Sequence, residues 1–418
     1  MITLFSKTAA AITRIEGRKF LKLTPAIDEQ VFGKSAERLK AKTSLYVHIP
    51  FCRSLCPFCC FNRYLFKEDQ ARRYFVQLKK ELSFYIDRGF KFSDFYFGGG
   101  TPTILMDELV GFLDFARQKL DIRQISLETT PREINPENVR LLKEAGINRL
   151  SIGIQSFDNE IVRSMGRVQS TTEETVERVM MAQGQFDTVN IDFVFNFPFQ
   201  SYTQLETDIR KFKELKIDQA TFYPLMASPH KKDAMERKFN KVNTARERNF
   251  YDIILREVYD AGYQASTAWC YSRGQRMIDE YIIDYDDYIG IGSGSVSIFN
   301  GNFFVNTFSL EKYGNMIGEN RLPIVGWRKL SSRESMYYYL LTKLFGTQFD
   351  TGKFRERFHA SIENRLGMEL LAMRMLGLIE GKNPIKVTRK GMYPVSVMMR
   401  EFFTSLNTLR ENYIEKQV

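Results

Sequence analysis

The chain has 418 residues, of which 44% are hydrophobic, so it is long enough for one large domain with a sizeable core and a smaller second unit. No apolar run approaches 18 residues, so no transmembrane helix is expected, and Met1 to Lys22 lacks the apolar core of a signal peptide. The net charge of +10 suits nucleic acid, an acidic membrane surface or an anionic substrate, and equally a solvated basic surface.

The pattern of apolar residues predicts an alternating α/β fold after an N-terminal arm at 1–43, which carries no clear periodicity. Pro136 and Gly146 mark the start and end of one predicted helix, and others are expected near 75–86 and 109–116. Strand-like apolar runs lie at 44–51, 94–98, 124–129, 149–155, 188–197 and 219–226. Six strand–helix units predict a parallel sheet with right-handed crossovers, curved into an open TIM-like barrel.

Three of the five cysteines, Cys52, Cys56 and Cys59, follow the first predicted strand with the spacing C-x3-C-x2-C. Thiolates in a compact loop are the usual ligands of iron–sulfur clusters, and three of them leave one iron of a [4Fe–4S] cluster open. The alternatives are a zinc site or unrelated thiols, although Cys60 and Cys270 do not complete the second ligand pair that structural zinc usually needs. Thiols that hold iron need a reducing, low-oxygen compartment, so we expect the cytoplasm.

Polar or glycine-rich residues follow the other predicted strands. They include the glycine triplet at 98–100, Glu128, Gln155 and Asp192. In a barrel of this kind the chemistry lies at the carboxyl ends of the strands, so these residues are expected to meet at one mouth. A glycine triplet lets the backbone approach a ligand closely, and it suits a tight turn equally well.

The cysteine spacing resembles that of the radical SAM superfamily, whose members use S-adenosylmethionine (SAM). The segment Tyr46-Val-His-Ile-Pro-Phe-Cys52 is similar to the oxygen-independent coproporphyrinogen III dehydrogenase family, which also contains haem chaperones, haem-degrading enzymes and class C methyltransferases. The similarity runs from about Ser44 to Gly301. It implies a partial (β/α)6 barrel, a [4Fe–4S] cluster on Cys52, Cys56 and Cys59, and one or two SAM molecules. It also implies a monomer served by an electron donor such as flavodoxin or ferredoxin.

The same resemblance assigns cofactor-binding positions. Those that match the first SAM site are Gly99, Gly100, Thr101, Glu128 and Val296. Those that match a second SAM site are Gln155, Arg167 and Asp192. Tyr46 and Phe58 match positions beside the two SAM molecules, and core packing is the alternative for these aromatic residues. A structural hydrogen bond is the alternative for the second set, and His48 is expected to be a satisfied interior histidine rather than a ligand.

The remaining chain is divided into a barrel domain with its extension at 44–301, a connector at 302–330 and a C-terminal domain at 331–418. From Arg328 onward there are 16 Lys and Arg against 9 Asp and Glu. The region resembles the winged-helix-like C-terminal domain of the family. Such a fold with positive charge is compatible with DNA binding, but a lid over the barrel mouth is the favoured reading because a fold does not fix its function.

The function implied by the resemblance is reductive cleavage of SAM and abstraction of a hydrogen atom from an unactivated carbon. Two departures from the family pattern leave the substrate open. Phe61 stands where the dehydrogenases carry a fourth cysteine, and the histidine motif of the haem chaperones is missing near Trp269. We expect a tetrapyrrole-like or other planar anionic substrate. The alternatives, in order, are methyl transfer to an aromatic carbon, haem trafficking and nucleic-acid binding.

Overall fold

A twelve-stranded sheet forms the centre of the protein in a computed structural model, which describes residues 2–25, 43–167, 171–226, 243–274 and 281–416, with Asp233, Glu236 and Arg237. The first strands are β1 (Thr43–Ile49), β2 (Phe51–Cys52), β3 (Tyr64–Leu65), β4 (Phe92–Gly99), β5 (Gln124–Thr129), β6 (Arg149–Gln155), β7 (Thr188–Phe195) and β8 (Gln219–Pro224). The six predicted strands, β1 and β4 to β8, lie side by side, parallel and in chain order, while β2 and β3 form a separate pair. The predicted parallel sheet is confirmed.

Helices cover the outer face of this sheet. The first seven are α1 (Ile2–Phe20), α2 (Glu68–Asp87), α3 (Met106–Arg117), α4 (Pro136–Glu144), α5 (Asn159–Ser164), α6 (Thr172–Ala182) and α7 (Tyr202–Glu214). Capping sets where several of them begin: the side chain of Asn135 accepts from the Asn138 amide, and Thr171 and Ser201 each start a capping box. Every residue of β1 is buried, including the polar Thr43, Ser44 and His48, as expected for a central strand covered on both faces.

The N-terminal region differs from the expected arm, because α1 is a regular helix of 19 residues. Among its described side chains, the buried residues are small and include Ala9, Ala10 and Gly17, which give little hydrophobic periodicity. It lies against the last helix of the chain, α14 (Arg389–Glu415), and Arg14 forms a 2.8 Å ion pair with Glu401 of that helix. The part of the arm at 26–42 lies outside the described residues.

The sheet continues beyond the predicted barrel. The next elements are α8 (Thr244–Asp260), β9 (Gln264–Ala265), β10 (Cys270–Ser272), α9 (Tyr281–Asp284), β11 (Tyr288–Ile291), β12 (Val296–Phe299), β13 (Asn302–Asn306), α10 (Leu310–Gly318) and β14 (Ile324–Lys329). Strand β11 pairs parallel with β1, and β12 to β14 add an antiparallel extension. The segment 302–330, expected to be a connector, thus contributes two strands to the central sheet. The sheet edges are β14 and β9, so the barrel of described strands is open.

The C-terminal region is mainly helical with a small antiparallel sheet. Its elements are α11 (Ser332–Phe345), β15 (Gln348–Phe349), α12 (Thr351–Phe358), α13 (Ile362–Met375), β16 (Ile379–Glu380), β17 (Ile385–Val387) and α14. The strand order is β15-β17-β16; α11 precedes β15, and α12 and α13 lie between β15 and β16, an arrangement compatible with the expected winged-helix-like domain. Helix α14 extends back over the barrel, where the Trp269 indole donates a 2.8 Å hydrogen bond to Ser396. Across the described ranges, no helix combines the length and apolarity that crossing a bilayer requires.

Candidate functional site

A cavity of about 350 Å³ opens at the carboxyl ends of the parallel strands. Cys52, Cys56 and Cys59 line it, and none of them forms a disulfide. The loop that carries them follows β1 and is held by Arg63, whose guanidinium donates to the backbone carbonyls of Cys56 and Cys59. The volume lies within the usual range for small-molecule sites. All thirteen residues predicted from the sequence to bind the cluster or SAM line this one cavity.

The three thiols form a donor set that suits a cationic cluster. Burial, with the neighbouring thiols of Cys59 and Cys56, raises the pKa of Cys52 to about 11, so three thiolates here need a positive partner. Iron supplies that charge, and a thiol that coordinates a metal is deprotonated. Among the described residues, no three His, Cys, Asp or Glu side chains are arranged around a single metal ion. Thiolates that hold a cluster bind separate irons, so they need not converge on one point.

Two side chains donate toward the cysteine sulfurs. The Thr101 hydroxyl lies 3.9 Å from the Sγ of Cys52, and the Arg167 Nε donates to the Sγ of Cys56 at 3.4 Å. Another group of the same guanidinium, Nη1, donates to the carbonyl of Gly153. Hydrogen bonds to cluster sulfur are a recognised means of tuning a cluster's reduction potential. The fork of Arg167, expected to bind a SAM carboxylate, is therefore directed toward the cysteine loop in this structure.

The glycine triplet lies where β4 passes very close to its neighbours. A Cβ on Gly100 would lie 2.5 Å from the backbone oxygen of Phe51, and one on Gly99 would lie 2.7 Å from the ring of His48. Gly99 also has a φ of 114°, which side-chain-bearing residues rarely adopt. The triplet is thus required for packing against β1 and the cysteine loop, while its backbone still faces the cavity.

Glu128, at the end of β5, accepts hydrogen bonds from the Tyr96 hydroxyl at 3.0 Å and from the Gly99 amide at 3.2 Å. Tyr96 stacks on Tyr46 of β1, with ring centroids 6.0 Å apart. These contacts hold the Glu128 carboxylate at the cavity wall, at the position where the resemblance places a SAM-binding acid. A carboxylate so placed is a strong acceptor for an ammonium or hydroxyl donor.

His48 is buried, as expected for an interior histidine. Its Nε2 lies 2.9 Å from the carbonyl of Asn62, and its Nδ1 lies 3.0 Å from the Tyr46 hydroxyl. Because a carbonyl only accepts, Nε2 carries the proton and Nδ1 accepts from Tyr46. Burial lowers the pKa of His48 to about 4, so the ring is neutral at physiological pH. The histidine therefore orients Tyr46 toward the cavity and is not itself among the lining residues.

The positions assigned to a second SAM lie on β6, β7 and the loop after α5. Gln155 has a left-handed φ of 72° at a register shift between β6 and β7, a conformation that is uncommon outside functional sites. The Asp192 carboxylate accepts a hydrogen bond from the Ser151 hydroxyl at 2.9 Å and another from the side-chain NH₂ group of Asn190 at 2.7 Å. The structure brings both residues to the same cavity as Arg167.

The last two predicted residues lie at different edges of the cavity. Phe58 contacts Phe197 edge to face, with ring centroids 6.3 Å apart, and belongs to a small apolar cluster beside the main core. Val296 is the first residue of β12 and pairs with Val305. Both residues combine a packing role with a position on the cavity wall.

The sequence favoured a C-terminal domain that covers the barrel mouth, but it did not identify which residues of α14 line the cavity. An aromatic surface runs from Tyr338 through Phe402 and Phe403 to Trp269, with successive ring centroids 5.7, 5.9 and 5.8 Å apart. Arg410 of the same helix also lines the cavity. The apolar spacing of α14 predicts one buried helix face, but nothing in the sequence indicates which part of the barrel that face covers.

Comparison with known proteins agrees with the fold and the cysteine motif. Residues 46–240 match the family model described as the radical SAM superfamily, so this region is a radical SAM domain. The heme chaperone HemW of Bacillus subtilis is 24% identical over 363 residues, which cover 83% of this chain and 96% of the relative. The oxygen-independent coproporphyrinogen III oxidase of Bradyrhizobium diazoefficiens is 25% identical over 326 residues, covering 72% of each.

A shorter and closer match is the oxygen-independent coproporphyrinogen III oxidase of Paracoccus denitrificans, 34% identical over 212 residues that cover 48% of this chain and 47% of the relative. The solved structure of coproporphyrinogen III oxidase (HemN) from Escherichia coli matches with a TM-score of 0.76 at 21% identity, covering 91% of this chain and 95% of that one. The fold is therefore that of HemN, and the named relatives include both oxidases and chaperones.

Proposed function

We propose that this protein is a radical SAM enzyme that holds a [4Fe–4S] cluster on Cys52, Cys56 and Cys59 and removes a hydrogen atom from a tetrapyrrole-like or other planar anionic substrate. The observation that carries the proposal is the convergence of these thiols and the ten expected SAM-binding residues on one cavity with an aromatic wall. When bound, the cluster supplies the electron that cleaves SAM to methionine and a 5′-deoxyadenosyl radical.

The chain's own residues bind, orient and shield the reagents. Arg63 holds the cysteine loop by its backbone, and the glycines at 98–100 bring β4 to the cavity without side chains. Glu128 is positioned to accept from the SAM ammonium or ribose, with Tyr96 and the Gly99 amide keeping it in place. Holding reactants in one geometry and excluding water are the principal contributions a protein makes to cofactor chemistry.

An aromatic wall, whose neighbouring ring planes differ by 53°, 75° and 39°, supports a substrate with a large apolar ring. Tyr338, Phe402, Phe403 and Trp269 offer stacking surfaces, and aromatic side chains provide large apolar contact areas. Positive charge on the same cavity suits carboxylates on the substrate. The coproporphyrinogen III oxidases among the relatives are named for a substrate of this class, which supports a tetrapyrrole.

Haem trafficking is the second candidate, because the HemW relatives align over nearly their whole length and Phe61 replaces the fourth cysteine of the oxidases. Methyl transfer to an aromatic carbon is the third. The proposal further includes an electron donor such as flavodoxin or ferredoxin, a monomeric state and a cytoplasmic location. The location rests on the reducing compartment that three iron-binding thiols require.

Anaerobic reconstitution followed by mass analysis tests the proposal. We expect about four irons per chain and 5′-deoxyadenosine formation that increases when coproporphyrinogen III is added, with Cys56→Ala as the inactive control. S-adenosylhomocysteine beside deoxyadenosine would indicate methyl transfer instead. Tight haem binding without SAM cleavage on any substrate would favour the chaperone.

A further inference from the structure

Arg410 occupies a distinctive place on the cavity wall, near the C-terminal end of α14. Its guanidinium lies over the ring of Phe61 in the cysteine loop, 5.0 Å from the ring centroid. Its Nη1 donates to the side-chain oxygen of Asn407 at 2.9 Å. Arg410 therefore links the last helix of the chain to the loop that carries the three thiols, and it is half-buried at this junction.

Three of the other arginines that line the cavity are held by groups of the protein. Arg53 forms a 2.7 Å ion pair with Glu133, Arg63 donates to the carbonyls of the cysteine loop, and Arg167 donates to Cys56 and Gly153. The ion pairs of α14 among the described residues are made by Arg400 and Glu401, and Arg410 forms none there. The positive charge of Arg410 is thus available to an anion that enters the cavity.

The neighbours of Arg410 on α14 define the shape of that anion. Phe402 and Leu406 precede it at intervals of four residues, which places the three side chains along one face of the helix. Eight residues of helix span about 12 Å, so the charge lies at one end of an apolar strip. A planar ring that rests on Phe402 and Leu406 and carries a carboxylate at its edge would bring that carboxylate to the guanidinium.

We propose that Arg410 binds a carboxylate of the substrate and so fixes one edge of a planar ring against α14; this inference rests on the proposed function. The guanidinium offers paired N–H donors that match the two oxygens of a carboxylate. Phe61 supports the guanidinium by a cation–π contact, and Asn407 fixes its rotation. The phenylalanine that stands in place of a fourth cysteine thereby acquires a role in positioning Arg410.

The SAM methionine also carries a carboxylate, and the two sources are distinguished by measuring both ligands. The probes are coproporphyrin III, which has four carboxylates, and its tetramethyl ester, which has the same ring without them. Binding is followed by absorbance and fluorescence on anaerobically reconstituted protein, and labelled SAM is measured by equilibrium binding. The variants are Arg410→Gln and Arg410→Lys, with Lys416→Gln, at the exposed residue that caps the C-terminus of the same helix, as the matched control.

We expect Arg410→Gln to weaken coproporphyrin III about ten- to a hundredfold, the usual effect of losing one charge-assisted hydrogen-bonded contact. Affinity for the ester, affinity for SAM and iron content should be unchanged in this variant. In Lys416→Gln these three quantities and the affinity for coproporphyrin III should all be unchanged. The affinity of Arg410→Lys for coproporphyrin III should lie between those of the wild type and Arg410→Gln, because lysine keeps the charge but lacks the paired donors. Phe61→Leu should reproduce part of the loss, since it removes the ring beneath the guanidinium.

Three outcomes would overturn the inference. Arg410→Gln could weaken binding of coproporphyrin III and of its ester equally, or weaken binding of SAM and not of coproporphyrin III. The wild-type protein could also bind coproporphyrin III no better than the ester. A wild-type chain that takes up no iron and cleaves no SAM would instead refute the proposed function. Iron content and SAM cleavage are measured without any porphyrin, so the two failures are separable.

Discussion

Cys60 differs from its neighbours in what its sulfur contacts. Its Sγ donates to the backbone carbonyl of Met226 at 3.3 Å, whereas the sulfurs of Cys52 and Cys56 face donors from Thr101 and Arg167. The contacts of these sulfurs therefore distinguish Cys60 from Cys52 and Cys56.

Replacing the cysteines one at a time tests this distinction. We expect Cys52→Ala, Cys56→Ala and Cys59→Ala each to prevent stable cluster assembly, because a cluster with one open iron needs all three thiolates. Cys60→Ala should keep full iron content and the visible absorbance of the cluster. Full iron content in Cys59→Ala, or its loss in Cys60→Ala, would show that the third ligand is assigned to the wrong residue.

Arg167 supports a second prediction at this scale. We expect Arg167→Ala to keep the iron but to weaken one of two bound SAM molecules by roughly ten- to a hundredfold, as one charged contact is lost. The reduction potential of the cluster should also fall, since the donor to Cys56 sulfur disappears. Labelled SAM under anaerobic conditions gives the stoichiometry, and exposed Arg163→Ala is the control. One SAM in the unmutated protein, unchanged by Arg167→Ala, would remove the two-SAM mechanism.

Helix α2 holds the glycine-rich loop between β11 and β12 through one buried carboxyl group. Glu81 accepts from the Gly292 amide at 2.8 Å, from Asn306 at 2.7 Å and from the Tyr313 hydroxyl at 2.6 Å. The loop leads directly into Val296, an expected SAM contact. Glu81 thus connects an outer helix to the shape of the cofactor site.

Asp208 of α7 acts on another site segment in the same way. It accepts from the Ser156 hydroxyl and from the Phe157 amide, both at 2.7 Å, immediately after Gln155. Burial raises the pKa of Asp208 to about 7. Two helices on the outside of the barrel therefore each fix a loop at its mouth with a buried carboxyl group.

The ionisation of Glu81 predicts a pH-dependent contribution to stability. Burial raises its pKa from 4.5 to about 7, although its three hydrogen bonds act to lower it. Between these pH values the Glu81 carboxyl group loses its proton in the unfolded chain and keeps it in the folded chain. Its contribution to the free energy of unfolding is therefore complete below pH 4.5 and is lost as pH rises to 7. The free energy of unfolding of the wild type should fall relative to Glu81→Gln by up to about 3 kcal/mol across this window.

Urea unfolding of the two proteins at several pH values measures this difference. The amide should lower stability at every pH, because its NH₂ group faces the donors that the carboxylate accepts from. Asp69→Asn on the exposed face of α2 serves as the control. Its free energy of unfolding should change with pH in the same way as that of the wild type. A constant difference between wild type and Glu81→Gln from pH 5 to 8 would contradict a raised pKa.

At the scale of the whole molecule, the two ends of the chain pack against each other beside the cavity. A Cβ on Gly17 of α1 would lie 2.6 Å from the hydroxyl of Ser405 on α14, so the helices approach closely. Arg14 pairs with Glu401 of α14, which also contacts Arg400. Because α14 supplies Phe402 and Phe403 of the aromatic wall, α1 supports the site indirectly, and none of its described side chains lines the cavity.

Enlarging Gly17 should separate the two helices. We expect Gly17→Leu to destabilise the protein by about 1–3 kcal/mol through overpacking and to weaken coproporphyrin III binding, while iron content is kept. Ala11→Leu adds a similar side chain on the exposed face of α1 and should change stability by no more than about 0.5 kcal/mol. Thermal unfolding and porphyrin fluorescence provide the measurements. Equal melting temperatures for the two variants would show that α1 does not support α14.

The sequence alone determined the parallel barrel, the cysteine loop and the strand-end residues. Apolar residues alternate with polar or small residues in β5 and β6, which is the period-two pattern of a strand, and both match their predicted ranges residue for residue. Several site residues, such as Glu128 and Gln155, lie near the carboxyl ends of parallel strands, and parallel topology brings those ends together. Phe58, Arg167 and Val296 lie elsewhere in the chain, and their assignment came from the family resemblance.

Only the tertiary structure revealed α1, the extension of the sheet by β13 and β14, and the wall built by α14. These features depend on contacts between residues hundreds of positions apart, such as Arg14 with Glu401 and Trp269 with Ser396. The packed face of α1 is made of small residues whose burial is set by the partner helix and not by their own hydrophobicity. The place of Arg410 over Phe61 is decided in the same way, since no local pattern links a C-terminal helix to a loop that lies 349 residues earlier.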